Sequence, residues 1–175
     1  MSAQATSKKL DDRELAVRSQ IDVWNGTNSR LSELLFELSD EQLQKEISPE
    51  RNTGHYIIGH LAAVSDGMLP LLGFGEKRFP DLEAAFLKNP ESAEIERPAV
   101  GEVRRVWADL LGVLRDNFEK LSADDWFDKH TAVSDEDFIN EPLRNRIAVL
   151  ISRTNHLNYH LGQLTLLKSK EGNVK

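Results

Sequence analysis

The sequence contains no cysteine among its 175 residues. This absence excludes disulfides, cysteine nucleophiles, iron–sulfur clusters and every zinc site built on thiolates. A metal ion bound by this chain must therefore take its ligands from histidine nitrogen or from oxygen. A reaction that uses a thiol must take that thiol from a cosubstrate.

Long apolar runs and an excess of basic residues are also missing. No stretch approaches the roughly 18 apolar residues of a membrane span, and residues 1–20 lack the apolar segment of a secretory signal. The 22 Lys and Arg residues stand against 29 Asp and Glu, which gives a formal net charge of −7. We therefore expect neither a membrane nor nucleic acid as the main partner, and we expect a cytoplasmic location.

Four amphipathic stretches hold most of the apolar residues. Apolar positions recur at the three- and four-residue steps of an α-helix over about residues 10–38, 53–72, 100–121 and 142–168. The last of these stretches begins at Pro142, which fits the first position of a helix. No stretch shows the strict alternation of a β-strand. The sequence therefore predicts an all-α protein, built as a four-helix bundle.

The segments between these helices differ in length. The connection from Gly73 to Pro98 is unusually long for neighbouring helices, with a short helical piece predicted at Leu82–Leu87. Residues 128–141 are polar and are predicted to form a loop. We expect one domain over residues 10–170, preceded by a disordered arm of residues 1–9.

Three of the five histidines fall on core-facing stripes. His156 and His160 are four residues apart, so their rings rise from neighbouring turns of one helix face, and His60 lies on the stripe of the second helix. Three imidazoles from two facing helices can hold a metal ion with open positions, as in catalytic sites. The alternative is that each is an ordinary hydrogen-bonded core histidine. His55 is expected at the rim and His130 in a solvated loop.

Two further side chains are candidates for a catalytic role beside the three histidines. The hydroxyl of Tyr56, one turn before His60, can reach the open side of a metal site as a hydrogen-bond donor or can end at the rim of the core. Arg153, one turn before His156, can bind a substrate carboxylate or pair with a Glu of another helix. The metalloprotease motif is absent because Leu157 takes the place of its glutamate, and no Glu-x-x-His motif of di-iron bundles occurs.

Two segments resemble the DinB/YfiT-like superfamily of metal-binding proteins. The segment 52–61 resembles the second helix of that family, where a Trp-x-x-x-His-Leu pattern supplies the first metal ligand; here Tyr56 stands in the Trp position and His60 in the His position. The segment His156-x-x-x-His160-x-Gly162-Gln163 is similar to the last helix of the family, which supplies the other two ligands.

The resemblance implies a four-helix bundle in up-down-down-up order, with the long connection as the crossover. It also implies a divalent ion, nickel or zinc, on His60, His156 and His160, and a homodimer. Members of the family include S-transferases and isomerases that use low-molecular-weight thiols. We therefore expect a metal-dependent enzyme with a small-molecule substrate, either a thiol S-transferase or a hydrolase. The motifs contain no carboxylate base, which favours thiol transfer.

Two other functions stay open at this point. The first is a non-catalytic, stress-related module whose bound metal or ligand contributes mainly to stability. The second is a helical partner-binding domain without any metal. Elemental analysis of the purified protein and assays of thiol addition distinguish these functions from the enzyme.

Overall fold

The computed structural model describes residues 10–168, and all of its regular elements are helices. The all-α prediction is confirmed for this part of the chain. The predicted arm, residues 1–9, lies outside the described residues, as do residues 169 and 170 of the predicted domain. Within residues 10–168, two isolated β-bridges form no sheet. None of the helices described here has the length and apolarity needed to cross a membrane.

In chain order the α-helices are α1 (Asp12–Glu37), α2 (Asp40–Leu43), α3 (Gly54–Asp66), α4 (Met68–Leu72), α5 (Asp81–Glu83), α6 (Val100–Phe118), α7 (Ala123–Phe127), α8 (Asp135–Asn140) and α9 (Arg146–Leu164). A π-helical turn, Ala84–Lys88, continues α5, and a 3-10 turn, Thr165–Leu167, follows α9. The four long helices α1, α3, α6 and α9 correspond to the four predicted stretches. The second stretch is divided between α3 and α4 at Gly67.

The start of the last helix differs from the prediction. Helix α9 begins at Arg146 and not at Pro142, because the backbone of Asn145 is extended and its side chain accepts a hydrogen bond from the Ala148 N–H as an N-cap. The Asn145 amide also donates to the Pro142 carbonyl at 3.0 Å, which holds the preceding residues in a turn. Pro142 therefore belongs to the loop.

The short helix α8 was not predicted from the sequence. It lies in the segment 128–141, which we expected to be a polar loop, and Ser134 caps its first turn. None of its residues is buried, so no apolar stripe marks it in the sequence.

One hydrophobic core joins the four long helices. Helix α1 packs mainly on α9, and α3 packs mainly on α6, with further contacts between α3 and α9 and between α1 and α6. Buried aromatic rings meet edge to face in this core, with the Phe118 ring centroid 4.9 Å from that of Trp24 and 5.1 Å from that of Trp126. This packing fixes the relative position of α3 and α9, the helices that carry the three candidate histidines.

The long connection between α4 and α6 is fastened to α3. The Asp66 carboxylate accepts the backbone N–H groups of Arg78 and Phe79, and the Glu91 carboxylate accepts both the N–H and the hydroxyl of Thr53. Between these two attachments the Phe86 side chain is fully buried. The connection is therefore packed against α3 and attached to both of its ends.

Candidate metal centre

The structure brings His60, His156 and His160 together, and we refer to them as the histidine cluster. The Nε2 atom of His156 lies 3.1 Å from Nε2 of His60 and 3.0 Å from Nε2 of His160. The three rings are half-buried, and one nitrogen from each lies within 4.8 Å of the others. This convergence follows from the four-residue spacing on α9 and from the packing of α3 against that helix.

In His60 and His160, the hydrogen bond made by the outer nitrogen, Nδ1, determines whether the inner nitrogen, Nε2, carries a lone pair. The Nδ1 atom of His60 lies 3.2 Å from the carbonyl oxygen of Phe86, and Nδ1 of His160 lies 2.7 Å from Oε1 of Gln163. Both partners are oxygen acceptors, and the Gln163 amide nitrogen donates separately to the Tyr159 hydroxyl. Each Nδ1 therefore carries the proton, and each Nε2 presents a lone pair.

The histidine cluster fits a metal ion by the chemistry of its donors. The Nε2 lone pairs of His60 and His160 both point at Nε2 of His156. A proton on that atom can form one good hydrogen bond but not two, so at least one lone pair lacks a donor. A cation held by all three nitrogens satisfies every lone pair, and three imidazoles suit zinc or nickel. The cluster could therefore hold a metal ion.

The charge state of the histidine cluster also suits metal binding. Burial lowers the pKa of each of the three imidazoles. For His156 the pKa falls to about 4, because the charges of His160, His60 and Arg153 add to the effect of burial. The rings are therefore neutral at pH 7, which is the state that a metal ligand must have.

A glycine explains how the Phe86 carbonyl reaches His60. A Cβ atom at Gly59 would lie 2.4 Å from the Phe86 ring, so only glycine lets this ring rest directly on the backbone of α3. The contact brings the connection close enough for its carbonyl to accept from His60. A hydrogen-bonded outer nitrogen fixes the ring orientation of a metal ligand. The sequence signal for this role is a glycine inside an apolar helix, immediately before a candidate ligand.

The two other candidate residues have different surroundings. The Tyr56 side chain is buried, and its hydroxyl donates to the Asn89 carbonyl at 2.7 Å. Arg153 is half-buried, and its Nε atom is buried without a hydrogen-bond partner. Among the residues that the structure describes, no acidic side chain forms an ion pair with Arg153. Of the two alternatives for Arg153, pairing with a Glu is therefore not seen among residues 10–168.

The remaining histidines lie outside the cluster. His55 is half-buried, and its Nε2 is 2.7 Å from the Pro98 carbonyl, so it fastens the end of the connection to α3. His130 was expected to be solvated, but it is half-buried and its Nδ1 is buried without a partner. The difference arises because the loop that carries His130 packs against α4, where the Thr131 N–H donates to the Leu71 carbonyl.

Comparison with protein families places the chain in a known group. A family model described as the DinB superfamily matches residues 23–164. This range holds all three members of the histidine cluster and most of the helical core. No curated protein matches the chain at a significant level.

Proposed function

Because the chain belongs to the DinB superfamily, we propose that its histidine cluster binds one divalent metal ion for an enzyme reaction with a low-molecular-weight thiol. The observation that carries this proposal is the pair of Nε2 lone pairs, from His60 and His160, that face the Nε2 atom of His156. Nickel and zinc are the proposed ions, since both accept imidazole ligands.

Thiol S-transfer is the reaction that the surroundings of the cluster favour. A bound divalent ion lowers the pKa of a ligating water or thiol, which makes a nucleophile available near neutral pH. Hydrolysis also needs a base for the water, yet among residues 10–168 no carboxylate forms a hydrogen bond to the histidine cluster. With no cysteine in the sequence, the thiol must be a cosubstrate. In the transfer the thiol loses its proton to solvent, its sulfur forms the new bond to the electrophilic atom, and the bond from that atom to the leaving group breaks, with the leaving group taking the electron pair.

We propose that Arg153 and Tyr56 bind the small-molecule substrate, with Arg153 as the more important contact. The positive charge of Arg153 lowers the pKa of both His60 and His156, which means that its guanidinium is within electrostatic reach of the cluster. An arginine without an acidic partner is suited to bind an anionic group. The Tyr56 hydroxyl already donates to the Asn89 carbonyl, so a contact with substrate requires that hydrogen bond to be exchanged.

The remaining expectations concern the architecture and the setting of the protein. The contacts of α1 with α9 and α6, and of α3 with the same two helices, support an up-down-down-up bundle with the long connection as crossover. We propose in addition a cytoplasmic homodimer that binds neither nucleic acid nor membrane. Analytical ultracentrifugation of the full chain tests the dimer.

The test of the metal site is elemental analysis and metal titration of untagged protein. We expect about one equivalent of zinc or nickel per chain, and loss of at least about 100-fold in affinity when His60→Ala and His156→Ala are combined, because loss of an outer-sphere partner alone costs 10- to 100-fold. His55→Ala is the matched control, since this residue lies on the same helix outside the cluster. Unchanged affinity in the double variant would refute the site.

The test of the reaction is an assay of thiol addition to electrophiles by the metal-loaded protein. We expect turnover with at least one low-molecular-weight thiol, and its loss in the double histidine variant. Tight metal binding without turnover, over several thiols and electrophiles, would refute the enzyme. That result would instead favour the non-catalytic module whose metal stabilises the fold.

A further inference from the structure

A cavity is lined in part by Arg153, which lies one helical turn before His156 of the histidine cluster. Its volume is about 310 Å³, and it is formed by the end of α4, the loop that carries His130, the segment 143–145 and the first half of α9. We call it the arginine cavity, after Arg144 and Arg153, which both line it. Leu71 and Val149 give it an apolar wall.

The charge of the arginine cavity is of one sign, although the chain as a whole is acidic. Two arginines line it, and none of its lining residues is acidic. Within residues 10–168, the one acidic side chain at ion-pair distance from Arg144 is the largely exposed Glu141, whose carboxylate lies 3.8 Å from Nη1. For Arg153 no acidic partner lies within ion-pair distance among residues 10–168. Because an arginine stays protonated at every physiological pH, the cavity holds a permanent positive charge.

Two polar atoms of the cavity residues are buried without a partner. They are Nε of Arg153 and Nδ1 of His130. Buried polar atoms are nearly always hydrogen-bonded in folded proteins, so two unpaired ones on the same cavity indicate a missing partner. The pKa of His130 is lowered, first by burial and second by the charge of Arg144. Its ring is therefore a neutral group that can donate one hydrogen bond to a ligand in the cavity.

The shape and the charge together select the class of ligand. A planar carboxylate accepts two parallel hydrogen bonds from a guanidinium, which makes it the best match for Arg153. The apolar wall suits a carbon chain or ring, and about 310 Å³ is at the lower end of the range for small-molecule sites.

We propose that the arginine cavity binds the carboxylate of a small, partly apolar organic acid, with Arg153 as the main partner and Arg144 and His130 as supporting partners. The identification of this acid as the substrate of the metal centre rests on the proposed function. Its binding does not, because none of the cavity residues belongs to the histidine cluster. Arg153 lies one turn before His156 on α9, so the proposed carboxylate site is next to the histidine cluster.

The experiment is a titration of the isotope-labelled full chain with hexanoate, followed by the backbone amide signals in NMR spectra. Hexanamide, which has the same carbon chain without the charge, is the control ligand. We expect saturable shifts in the segment 143–153 with hexanoate, in both metal-free and zinc-loaded protein, and binding of hexanamide that is weaker by about tenfold or more.

Variants of single arginines test the main partner. We expect Arg153→Gln to weaken hexanoate binding by about tenfold or more, and Arg153→Lys to have a smaller effect because lysine keeps the charge but not the paired donors. The lysine variant serves if the glutamine variant is unstable. Arg105→Gln, at an exposed arginine on α6, is the matched control and should bind like the original protein.

Three results would overturn the proposal. They are equal binding of hexanoate and hexanamide, unchanged hexanoate binding by Arg153→Gln, and binding of hexanoate only when zinc is present, which would place the acid on the metal. Zinc affinity of the same variants separates this outcome from failure of the proposed function. If Arg153→Gln loses hexanoate binding but keeps its zinc affinity, the result bears on the arginine cavity and not on the metal site. If the histidine variants keep their zinc affinity, the result refutes the metal site and leaves the arginine cavity untouched.

Discussion

Helix α3 carries two polar side chains, the buried Asp66 and the half-buried His60, whose hydrogen-bonding groups are satisfied to different extents. Asp66, at its C-terminal end, is 1% exposed, and both of its carboxylate oxygens accept backbone N–H groups, from Arg78 at 2.8 Å and from Phe79 at 3.1 Å. His60, less than two turns earlier, donates to one carbonyl, and its inner nitrogen faces two other imidazoles. One group is complete within the protein and the other is not.

This difference separates a structural polar group from a functional one. A buried carboxylate whose oxygens are both hydrogen-bonded stabilises the fold and has little capacity left for a ligand. The histidine cluster leaves at least one lone pair without a donor in the protein, which costs stability until a cation binds. We therefore expect changes at Asp66 to act on stability alone, and changes at the cluster to act on metal binding.

The largest expected effect is the stabilisation of the protein by its metal. At a free zinc concentration 100 times the dissociation constant, the free energy of unfolding should rise by about 2.7 kcal/mol. Urea denaturation with and without zinc measures this increase. The increase should be absent from the combined His60→Ala and His156→Ala variant. It should persist in Asp66→Ala, and its loss there would mean that the two regions are coupled.

The substitution Asp66→Ala should lower the free energy of unfolding by about 2 kcal/mol, because the N–H groups of Arg78 and Phe79 lose a charged acceptor. Urea denaturation of the metal-free protein gives the value. Asp109→Ala is a control in the same area, since its exposed ion pair with Arg78 should contribute much less. An Asp66→Ala variant as stable as the original protein would show that the connection is held by its other contacts.

The metal-free protein should lose stability as the pH falls from about 6.5 toward about 4. Burial lowers the pKa of each imidazole of the cluster below the ordinary value of 6.5, for His156 to about 4, so the unfolded chain binds more protons over this range. The stability is complete above the unfolded pKa and is lost below it. The effect is moderate because the rings are partly solvated.

A series of urea denaturations between pH 7 and pH 4.5 measures this dependence. The lower limit avoids most of the titration of Glu83, whose pKa is lowered to about 2, chiefly by its hydrogen bond to Lys77. The substitution His156→Gln should flatten the dependence. Stability that stays constant or rises toward pH 4.5 would contradict the neutral state assigned to the cluster.

The sequence predicts the parts of this comparison that depend on periodicity. The stripes of α1, α6 and α9 are long enough to identify these helices, and the same periodicity places His156 and His160 on one face with His60 opposite. Helix α8 is not predicted because none of its residues is buried, so it has no apolar stripe. The start of α9 is predicted at the wrong residue because Asn145 caps the helix, although proline is usually favoured at a first helical position.

The partners of the histidines are harder to predict than the histidines themselves. The Phe86 carbonyl belongs to the backbone, and it reaches His60 only because Gly59 lets the connection pack closely. The same limit applies to the arginine cavity, where Arg153 and His130 come together through the packing of a loop on α4. Gln163 is different, because it lies three residues after His160 on the same helix and can be proposed from spacing.

The smallest expected effects concern the outer partners of the cluster. The Gln163 amide accepts from Nδ1 of His160 at 2.7 Å and donates to the Tyr159 hydroxyl at 3.1 Å. Gln163→Ala should weaken zinc binding by about tenfold, since the ring keeps its position on α9 but loses the acceptor that orients it. Competition with a zinc chelator measures the change.

Tyr159→Phe is a milder variant for comparison with Gln163→Ala. It removes only the acceptor of the second hydrogen bond, and the Tyr159 side chain is largely exposed, so water can replace its hydroxyl. Zinc affinity should fall by no more than about twofold. A loss in Tyr159→Phe as large as in Gln163→Ala would mean that the hydrogen-bonded chain from Tyr159 through Gln163 to His160 acts as a unit.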